Sequence, residues 1–509
     1  MPRPIGIDLG TTFSAVATIN SAGRPEIVRN SEGQTTTPSV VLFDGGEAIV
    51  GQQAKLQRVA FHDDVVEFVK RQMGNDAWRF YPTVGDAYTP EGVSAIILKR
   101  LAADASIVLG EPVKEVVITV PAYFNDAQRK ATKDAGEIAG LDVLSIINEP
   151  TAAAVSFGVE QDFNGTILVY DLGGGTFDVT LLKAYNGDFD IIRTDGDRNL
   201  GGFDFDNLII QWIKAEFASL TGEMIGGDAL EAELRDRAEQ AKHRLSQSDS
   251  APIFVSAAGR NEKLILTRDQ FEEIASSLLA RTEMLVEDVV EGAGLSFGDV
   301  NKVLLVGGST RMPMVSRMLT KLTGQLPDQS IHPDEAVAKG AAVVAALRSR
   351  SGGGGGTSSI PVTPSGHSLG ISDVVSHGLG VVTVNEVGLE VNSVIVPAQS
   401  KIPTKKADTF YTVVPNQTEL NVRVTEGDEE DLKYVHILGS SLLKLQPHPE
   451  EGSPIRVTFS CDIDGILHIE VVDLVDNKHL GEFEIDRAKN LEQDQIESMR
   501  NALSNLDVQ

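Results

Sequence analysis

IGIDLGTTFSAV at residues 5–16 and ILVYDLGGGTFDV at residues 167–179 decide the fold of this 509-residue chain. Each stretch is an apolar strand that ends in Asp-Leu-Gly, passes through a turn of small residues and continues into a second strand. Two copies of this pattern predict two similar lobes that face each other across a cleft. Strand-like and helical runs alternate around them as far as residue 348, which is typical of an α/β fold.

The turns of the two hairpins have the composition of a phosphate-binding site. Glycine lets backbone N–H groups approach phosphate oxygens and permits positive φ, and the hydroxyls of Thr11, Thr12 and Thr176 add donors. Because each turn lies between two strands, the pattern predicts a hairpin that grips phosphate. It is not a P-loop, since no G-x-x-x-x-G-K-[ST] sequence occurs.

Three carboxylates flank these turns, namely Asp8, Asp171 and Asp178. They would repel phosphate by themselves, so we interpret them as ligands, direct or through water, of a Mg²⁺ ion that bridges the phosphates. A single Asp-Leu-Gly sequence is typical of an ordinary β-turn. Two matched copies with flanking Thr and Asp favour a nucleotide site.

Other segments fit the same cleft. Residues 303–311, VLLVGGSTR, predict a strand that enters a Gly-Gly-Ser turn at a helix start, suited to nucleoside or α-phosphate contact. Two small-residue helices, at 148–154 and 334–342, would pack closely, either as a hinge between lobes or as plain packing. Lys70, in the polar run VEFVKRQMG, has by itself the appearance of a surface lysine.

Composition limits the partners and the compartment. The chain has 44 basic and 73 acidic residues, a net charge of −29, which disfavours nucleic acid and anionic membranes as partners. Its one cysteine, Cys461, cannot form an intrachain disulfide and is interpreted as core packing. No apolar run has signal-peptide character or approaches the roughly 20 residues of a membrane span, so we expect a cytoplasmic protein.

A glycine-rich break, SGGGGGT at residues 351–357, divides the chain and predicts a flexible tether. The sequence after it is nearly all β. Apolar residues alternate with polar ones over 455–461, Asp464-Gly465 supplies a hairpin turn, and the alternation resumes over 467–471. A short amphipathic helix, with Ile496, Met499, Leu503 and Leu506 at helical spacing, ends the sequence.

Taken together, these motifs resemble the DnaK-type heat-shock chaperones of the seventy-kilodalton class, over nearly the whole chain. The motifs are GIDLGTTFSAV, VPAYFNDAQRKATKDAGEIAGLDVLSIINEPTAAA, VYDLGGGTFDV, NLGGFDFD, VLLVGGSTRMP and HPDEAVAKGAA. The resemblance implies a multidomain α/β plus all-β protein. Its parts would be a two-lobed actin- and sugar-kinase-like ATPase domain (1–348), a linker (349–365), a β-sandwich that binds peptides (366–488) and a short C-terminal helix (489–509).

The resemblance also implies roles for individual residues in a slow ATP hydrolysis with ATP/ADP and Mg²⁺, and with K⁺ as an additional ion. Lys70, Glu149, Asp178 and Thr176 would be catalytic, Asp8, Asp171 and Asp178 would hold the metal, and Pro121 and Arg129 would relay nucleotide state. No contact is assigned to His243. The nucleotide-binding residues would be Gly10, Thr11, Thr12, Gly173, Gly174, Gly175, Thr176, Gly201, Gly202, Glu239, Lys242, Ser246, Gly307, Gly308, Ser309, Arg311, Met312 and Asp334.

In such chaperones the β-sandwich holds an extended apolar peptide through backbone hydrogen bonds and a side-chain pocket. The matching positions here are Ile371, Phe410, Val413, Leu420 and Val422. The implied partners are unfolded or extended client peptides, a J-domain co-chaperone and a nucleotide-exchange factor, and the implied state is a monomer.

Two departures from the family pattern affect the expected coupling between nucleotide and peptide. The linker is glycine-rich, with only Ile360 and Val362 apolar, so it should dock weakly on the ATPase domain. The sequence also ends where a helical lid would begin, which should speed peptide release. A dedicated adaptor that keeps the ATPase is the main alternative. A sugar kinase or actin-like filament protein is disfavoured, because neither explains the β region after the tether.

Overall fold

The first hairpin organises lobe I, which comprises residues 3–160. The computed structural model describes residues 3–328, 330–351, 363–484, 491 and 493–509. In lobe I, β1 pairs antiparallel with β2 and parallel with β8, within the strand order β3-β2-β1-β8-β9. The elements of lobe I are β1 Ile5–Asp8, β2 Phe13–Ile19, β3 Pro25–Val28, β4 Thr37–Pro38, β5 Val41–Asp44, β6 Glu47–Val50, α1 Gln52–Gln57, β7 Val65–Val66, α2 Pro90–Leu109, β8 Glu115–Val120, α3 Asp126–Ile138, β9 Asp142–Asn148 and α4 Glu149–Glu160.

The second hairpin organises lobe II, which comprises residues 165–328. The central strands follow the order β15-β10-β11-β12, with β10 antiparallel to β11 and parallel to β15. Both hairpins expected from the sequence are therefore confirmed. The elements are β10 Gly165–Leu172, β11 Phe177–Tyr185, β12 Asp188–Asp197, α5 Gly202–Thr221, α6 Asp228–Leu245, β13 Ser250–Ala257, β14 Arg260–Thr267, α7 Arg268–Ile274, α8 Ser276–Gly292, β15 Lys302–Val306 and α9 Pro313–Thr323.

Small residues bring two helices together between the lobes. Helix α10, Ala336–Ser351, packs against α4 and β1, and alanines of both helices share one buried cluster. A Cβ atom at Gly340 would lie 1.7 Å from the carbonyl oxygen of Ala152. This close approach confirms the packing expected for the two small-residue helices.

After the tether, two four-stranded sheets form a sandwich, in the orders β18-β17-β21-β22 and β20-β23-β24-β25. The hairpin predicted at Asp464-Gly465 is confirmed, since it joins β23 to β24, and Cys461 is buried in the sandwich core as expected. The elements are β16 Gly370–Val374, β17 Leu379–Val384, β18 Glu390–Val396, β19 Lys401–Ile402, β20 Thr404–Tyr411, β21 Glu419–Glu426, β22 His436–Lys444, β23 Pro454–Cys461, β24 Leu467–Asp473 and β25 Lys478–Glu484.

The sandwich lies against both lobes through contacts outside the tether. Strand β16 pairs parallel with β12 of lobe II and extends its sheet. On lobe I, Asp464 Oδ1 accepts hydrogen bonds from Ser145 Oγ at 2.7 Å and from the Ile146 amide at 3.0 Å. Ile360 and Val362, on which the expectation of weak linker docking depends, lie outside the described residues.

The C-terminal helix packs on lobe I. Helix α11, Gln493–Asn505, buries Ile496 and Leu503 in the core of that lobe, which confirms the amphipathic helix predicted there. Strand β26, Asp507–Val508, then pairs parallel with β6. Lys99 Nζ donates to the carbonyl oxygens of Leu503 and Leu506 at the end of the helix. Across the described ranges, no helix combines the length and apolar character that crossing a membrane requires.

Candidate active site

A cavity of about 620 Å³ opens between the two hairpins, a volume suited to a small-molecule ligand. Both lobes contribute to its wall, and most of the residues expected at the nucleotide site line it. These are Asp8, Gly10, Thr11, Thr12, Lys70, Glu149, Asp171, Gly173, Gly174, Thr176, Gly202, Glu239, Lys242, Ser246, Gly307, Gly308, Ser309, Arg311, Met312 and Asp334. Three other expected residues of the described ranges, Gly175, Gly201 and Asp178, are not among those that line it.

The glycines of the turns are required by close contacts between backbone segments. A Cβ atom at Gly174 would lie 1.9 Å from Oγ1 and 2.9 Å from Cβ of Thr12, so a larger residue would force Thr12 or one of the two turns to shift. A Cβ at Gly201 would lie 2.5 Å from the Gly175 nitrogen. The Phe203 amide donates to the Gly174 carbonyl at 2.7 Å, which fixes the start of α5 against the second turn.

Lys70 lies inside the cleft rather than on the surface. It belongs to a short 3-10 turn, Val69–Gln72, and is only 4% exposed. Its Nζ atom lies 2.5 Å from Oε1 of Glu149, at the start of α4. The interpretation of Lys70 as a surface lysine, based on its polar segment alone, was therefore wrong, because the turn places the side chain in the cleft, where it is buried.

Asp8, Asp171 and Asp178 lie around the lysine together with Glu149, and burial makes ionisation of the three aspartates costly. Burial, followed by the charge of Glu149, raises the pKa of Asp8 to about 7 and that of Asp178 to about 8. The same two causes raise the pKa of Asp171 well above its usual value. Asp178 Oδ1 accepts the Tyr123 amide at 2.9 Å, whereas its buried Oδ2 has no hydrogen-bond partner among the described residues.

This donor set fits a divalent cation. Mg²⁺ prefers carboxylate and water oxygens, and a cation beside these groups would favour their charged forms. Such an ion, or a water molecule bound to it, would contact Oδ2 of Asp178, the oxygen that has no hydrogen-bond partner among the described residues. The residues present are therefore compatible with the magnesium expected from the sequence.

On the opposite side of the cavity, cross-cleft ion pairs hold Glu239 of α6. Lys55 Nζ lies 2.6 Å and Arg58 Nη2 3.0 Å from its carboxylate oxygens, so lobe I contacts lobe II here. Burial by itself would raise the pKa of Glu239, but Lys55 and Arg58 lower it to about 2. Nearby, Lys242 Nζ donates to Asp206 at 2.8 Å and to the Gly202 carbonyl at 2.9 Å.

Comparison with known proteins identifies the family. The family described as Hsp70 protein matches residues 4–82 and 75–509. The chain is also 41% identical, over 530 aligned positions, to a protein of Emiliania huxleyi named chaperone protein dnaK, covering 98% of this chain and 82% of that protein. The chain belongs to the Hsp70 family. It is accordingly an ATP-dependent molecular chaperone with ATPase activity, and the family generally uses ATP and magnesium.

In this Hsp70, Arg129 connects the active site to the sandwich. The Arg129 side chain is buried, and its Nη2 donates to Asn148 Oδ1 at 2.6 Å and to the Ala122 carbonyl at 3.2 Å. Asn148 Nδ2 donates in turn to Asp373 of β16 at 2.7 Å. Pro121 lies in the same loop, where its carbonyl accepts the Phe124 amide. Asn148 directly precedes Glu149, so the chain of contacts runs from the cleft to β16, the strand that leads into the sandwich.

The expected peptide-binding residues do not all lie together. Val422 belongs to the sandwich core, and Phe410 and Leu420 pack against that core as partly buried side chains. Val413 is 54% exposed. Ile371 is separate from this group, because β16 places it against the cluster shared by α4 and α10. Ile371 therefore lies apart from the other four residues in this arrangement.

Sequence reasoning missed several residues that line the cavity. Three of them follow from motif positions: Phe68 precedes Lys70 by two residues, Phe203 directly follows Gly202, and Arg235 lies one helical turn before Glu239. Spacing could have located these three, but nothing in their residue type indicated a nucleotide cleft. His243, to which no contact was assigned, also lines the cavity. The others are Phe13, Ala15, Thr36, Glu67, Asp206, Gln247, Val306, Pro333 and Val337.

Proposed function

We propose that this Hsp70 hydrolyses ATP at the buried Lys70–Glu149 pair and uses the nucleotide state to control peptide binding by the sandwich. The observation that supports the proposal most directly is that pair itself, which lies with Asp8, Asp171 and Asp178 where the two hairpins meet. A buried cation among carboxylates, beside glycine turns, suits a reaction in which negative charge develops on a phosphoryl group.

In the proposed reaction, water attacks the γ-phosphorus and ADP leaves. Glu149 and Asp178 orient the water, Thr176 donates its hydroxyl to the γ-phosphate, and Lys70 stabilises the charge on the transferring group. Asp8, Asp171 and Asp178 would hold Mg²⁺, which when bound neutralises charge on the phosphates. Catalysis is thus positioning and electrostatics, and we expect a slow turnover.

The remaining cavity residues bind the rest of the nucleotide in this proposal. Gly10, Thr11 and Thr12 of the first hairpin hold the β-phosphate. Glu239, Lys242 and Ser246 of α6 line one side of the adenosine. The turn after β15, with Gly307, Gly308, Ser309, Arg311 and Met312, lines the other side, and Asp334 holds Arg311 Nη2 at 2.6 Å.

The route from Glu149 through Asn148 to Asp373 is the proposed means of coupling. Glu149 contacts Lys70, its neighbour Asn148 binds Arg129, and the same amide side chain binds Asp373 of β16, the strand that precedes the sandwich and pairs with lobe II. A nucleotide that moves Glu149 would therefore alter the docking of β16. Differential contacts of this kind are what allosteric coupling requires.

The partners of this chaperone are also proposals. Extended apolar peptides would bind near Phe410, Val413, Leu420 and Val422, and a J-domain co-chaperone and a nucleotide-exchange factor would act on the lobes. We propose a monomer that works in the cytoplasm.

Equilibrium binding of a fluorescent apolar peptide, measured with ATP and with ADP, tests the proposal. We expect weaker peptide binding with ATP, and we expect Asn148→Ala to reduce the difference between the two nucleotides. Gln161→Ala, a change just after the end of α4, serves as the control. ATP hydrolysis without peptide binding, or peptide binding that ignores the nucleotide, would favour the adaptor function over the coupled chaperone.

A further inference from the structure

Phe68 has a backbone conformation that aromatic residues rarely adopt. Its φ angle is 59°, in the left-handed region, where the Cβ atom of a bulky residue makes unfavourable contacts. The residue begins the 3-10 turn that carries Lys70, and its carbonyl accepts the Arg71 amide at 3.0 Å. Strain of this kind persists only where the surroundings enforce it, and it concentrates at functional sites.

The surroundings that enforce it come from the opposite lobe. Phe203, the second residue of α5, meets the Phe68 ring edge-to-face at 4.7 Å between ring centroids. The Arg235 guanidinium lies 4.3 Å from the Phe203 centroid and 5.8 Å from that of Phe68. From lobe I, the Arg71 guanidinium lies 4.7 Å from the same Phe203 ring. These four side chains, two from each lobe, are named here the cleft clamp.

The cleft clamp touches the catalytic elements on both sides. On lobe I, Phe68 is separated from Lys70 by one residue of the same turn. On lobe II, the Phe203 amide donates to the Gly174 carbonyl, and Arg71 also donates to Asp204 Oδ1 at 3.3 Å. None of the four side chains is part of a described hydrophobic core, and all four are only partly buried. These contacts therefore join the two lobes and do not belong to the hydrophobic core of either one.

We propose that the cleft clamp couples closure of the lobes to the placement of Lys70. Edge-to-face aromatic and cation–π contacts form only at short range and in restricted orientations, so opening the cleft breaks them. Without Phe203, Phe68 is free to leave its left-handed conformation, and the turn then no longer presents Lys70 to Glu149. Phe68 and Phe203 are positioning residues, and closure of the clamp also slows nucleotide release. This inference rests on the catalytic role proposed for Lys70.

Single-turnover hydrolysis and the release of fluorescent ADP together test the clamp. We expect Phe203→Leu and Phe68→Leu each to slow hydrolysis about tenfold and to speed ADP release about tenfold, with the double variant no worse than either single variant. Phe203→Tyr keeps the ring and should restore both rates. Phe254→Leu is the matched control: Phe254 lies on β13 of the same lobe, is 55% exposed and has Lys263 5.8 Å from its ring.

Lys70→Ala, measured in parallel, separates failure of the clamp from failure of the proposed active site. If Lys70→Ala hydrolyses ATP at the normal rate, the active site is wrong and the clamp has nothing to position. If Lys70→Ala is impaired while Phe203→Leu behaves like Phe254→Leu, the clamp is refuted by itself. Additive losses at Phe68 and Phe203 would also overturn the proposal, because residues that act through one contact are not additive. Melting temperatures establish that each variant is folded.

Discussion

The nucleotide cleft and the peptide site proposed on the sandwich differ in how their residues are held. In the cleft, Lys70 is buried against Glu149, and Gly174 has no room for a methyl group. On the sandwich, Val413 is largely exposed, and Leu420 is only partly buried. The cleft therefore depends on individual atoms at short range, whereas the sandwich depends on apolar area that several side chains can supply.

The largest effect we expect in either region is that of Lys70→Ala. Removing the ammonium group takes away the charge that would stabilise the transferring phosphoryl group and leaves Glu149 without its partner. Steady-state ATP turnover should fall about 100-fold or more, as it does when one stabilising group is removed from a preorganised site.

Lys302→Ala is the control for this change. Lys302 also forms an ion pair, with Asp328, but the Lys302 side chain is much more exposed than that of Lys70. Its turnover should equal that of the wild type. Equal turnover of Lys70→Ala and Lys302→Ala would show that the cleft does not depend on its buried lysine, and the contrast with the sandwich would disappear.

Gly174→Ala tests whether the close contact between the second turn and Thr12 of the first matters in the cleft. Its Cβ atom would lie 1.9 Å from Thr12 Oγ1 and 2.9 Å from Thr12 Cβ, so one hairpin must move. ATP affinity measured by calorimetry should fall about 30-fold, a loss of about 2 kcal/mol. Gly226→Ala, whose Cβ would have no atom within 4 Å, should bind ATP normally. Normal binding by Gly174→Ala would contradict the close contact between the hairpins.

Features that depend on residues close together in the chain could be predicted from the sequence. The two hairpins and their carboxylates were predictable, because a glycine turn and its flanking Asp and Thr are neighbours in sequence. The hairpin at Asp464-Gly465 was predictable for the same reason. Other cavity residues, such as Lys70, Glu239 and Lys242, were assigned only through the resemblance to the family. Local patterns encode local structure, and two matched patterns were enough to indicate the cleft.

Contacts between distant segments were not predictable in this way. Nothing near Lys70 indicates that its turn is buried, and nothing near Phe68 or Phe203 indicates that their rings meet. Ile371 was grouped with the peptide-binding residues by resemblance, but pairing of β16 with β12 places it on the lobes. Each of these features depends on which surfaces meet after folding, and that information is spread over the whole chain.

On the sandwich we expect a moderate effect from one substitution. Leu420→Asn should weaken binding of an apolar peptide about tenfold in fluorescence polarisation, because it replaces apolar area with an amide. Leu442→Asn is the control, since Leu442 lies on the adjacent strand β22, is 65% exposed and should contribute little. A loss for Leu442→Asn with none for Leu420→Asn would indicate that the peptide contacts the opposite face of the sheet, because Leu442 pairs with Asn421 and Leu420 with Leu443. No loss at either position would place the peptide elsewhere.

The last effect concerns His377, which lies where the segment leading into the sandwich contacts the lobes. Its ring lies 4.0 Å from that of Tyr123, Arg198 Nη2 lies 3.2 Å from its Nε2, and Glu426 Oε1 lies 3.5 Å from its Nδ1. Burial, with the charges of Arg198 and Arg129, lowers the pKa of His377 to about 3. Once undocked, the ring would regain an ordinary pKa of about 6.5. The packing of the His377 segment against the lobes, called docking here, is therefore fully stable above pH 6.5. It weakens as the pH falls from there towards 3, because the undocked ring takes up a proton more readily.

One pH unit below the ordinary histidine pKa, the docking equilibrium should fall about tenfold. The amide of Leu467 reports it by hydrogen exchange, because it donates to Asp126 across the interface at 3.0 Å. His377→Phe keeps a ring beside Tyr123 but cannot titrate, so its protection should not change with pH once intrinsic rates are corrected. His479→Asn, an exposed site, should behave as wild type. If protection of the Leu467 amide rises in acid, the attraction between Glu426 and the protonated His377 ring outweighs the cost of burying that charge. The sandwich would then be held to the lobes by charge, as Lys70 is held by Glu149 in the cleft.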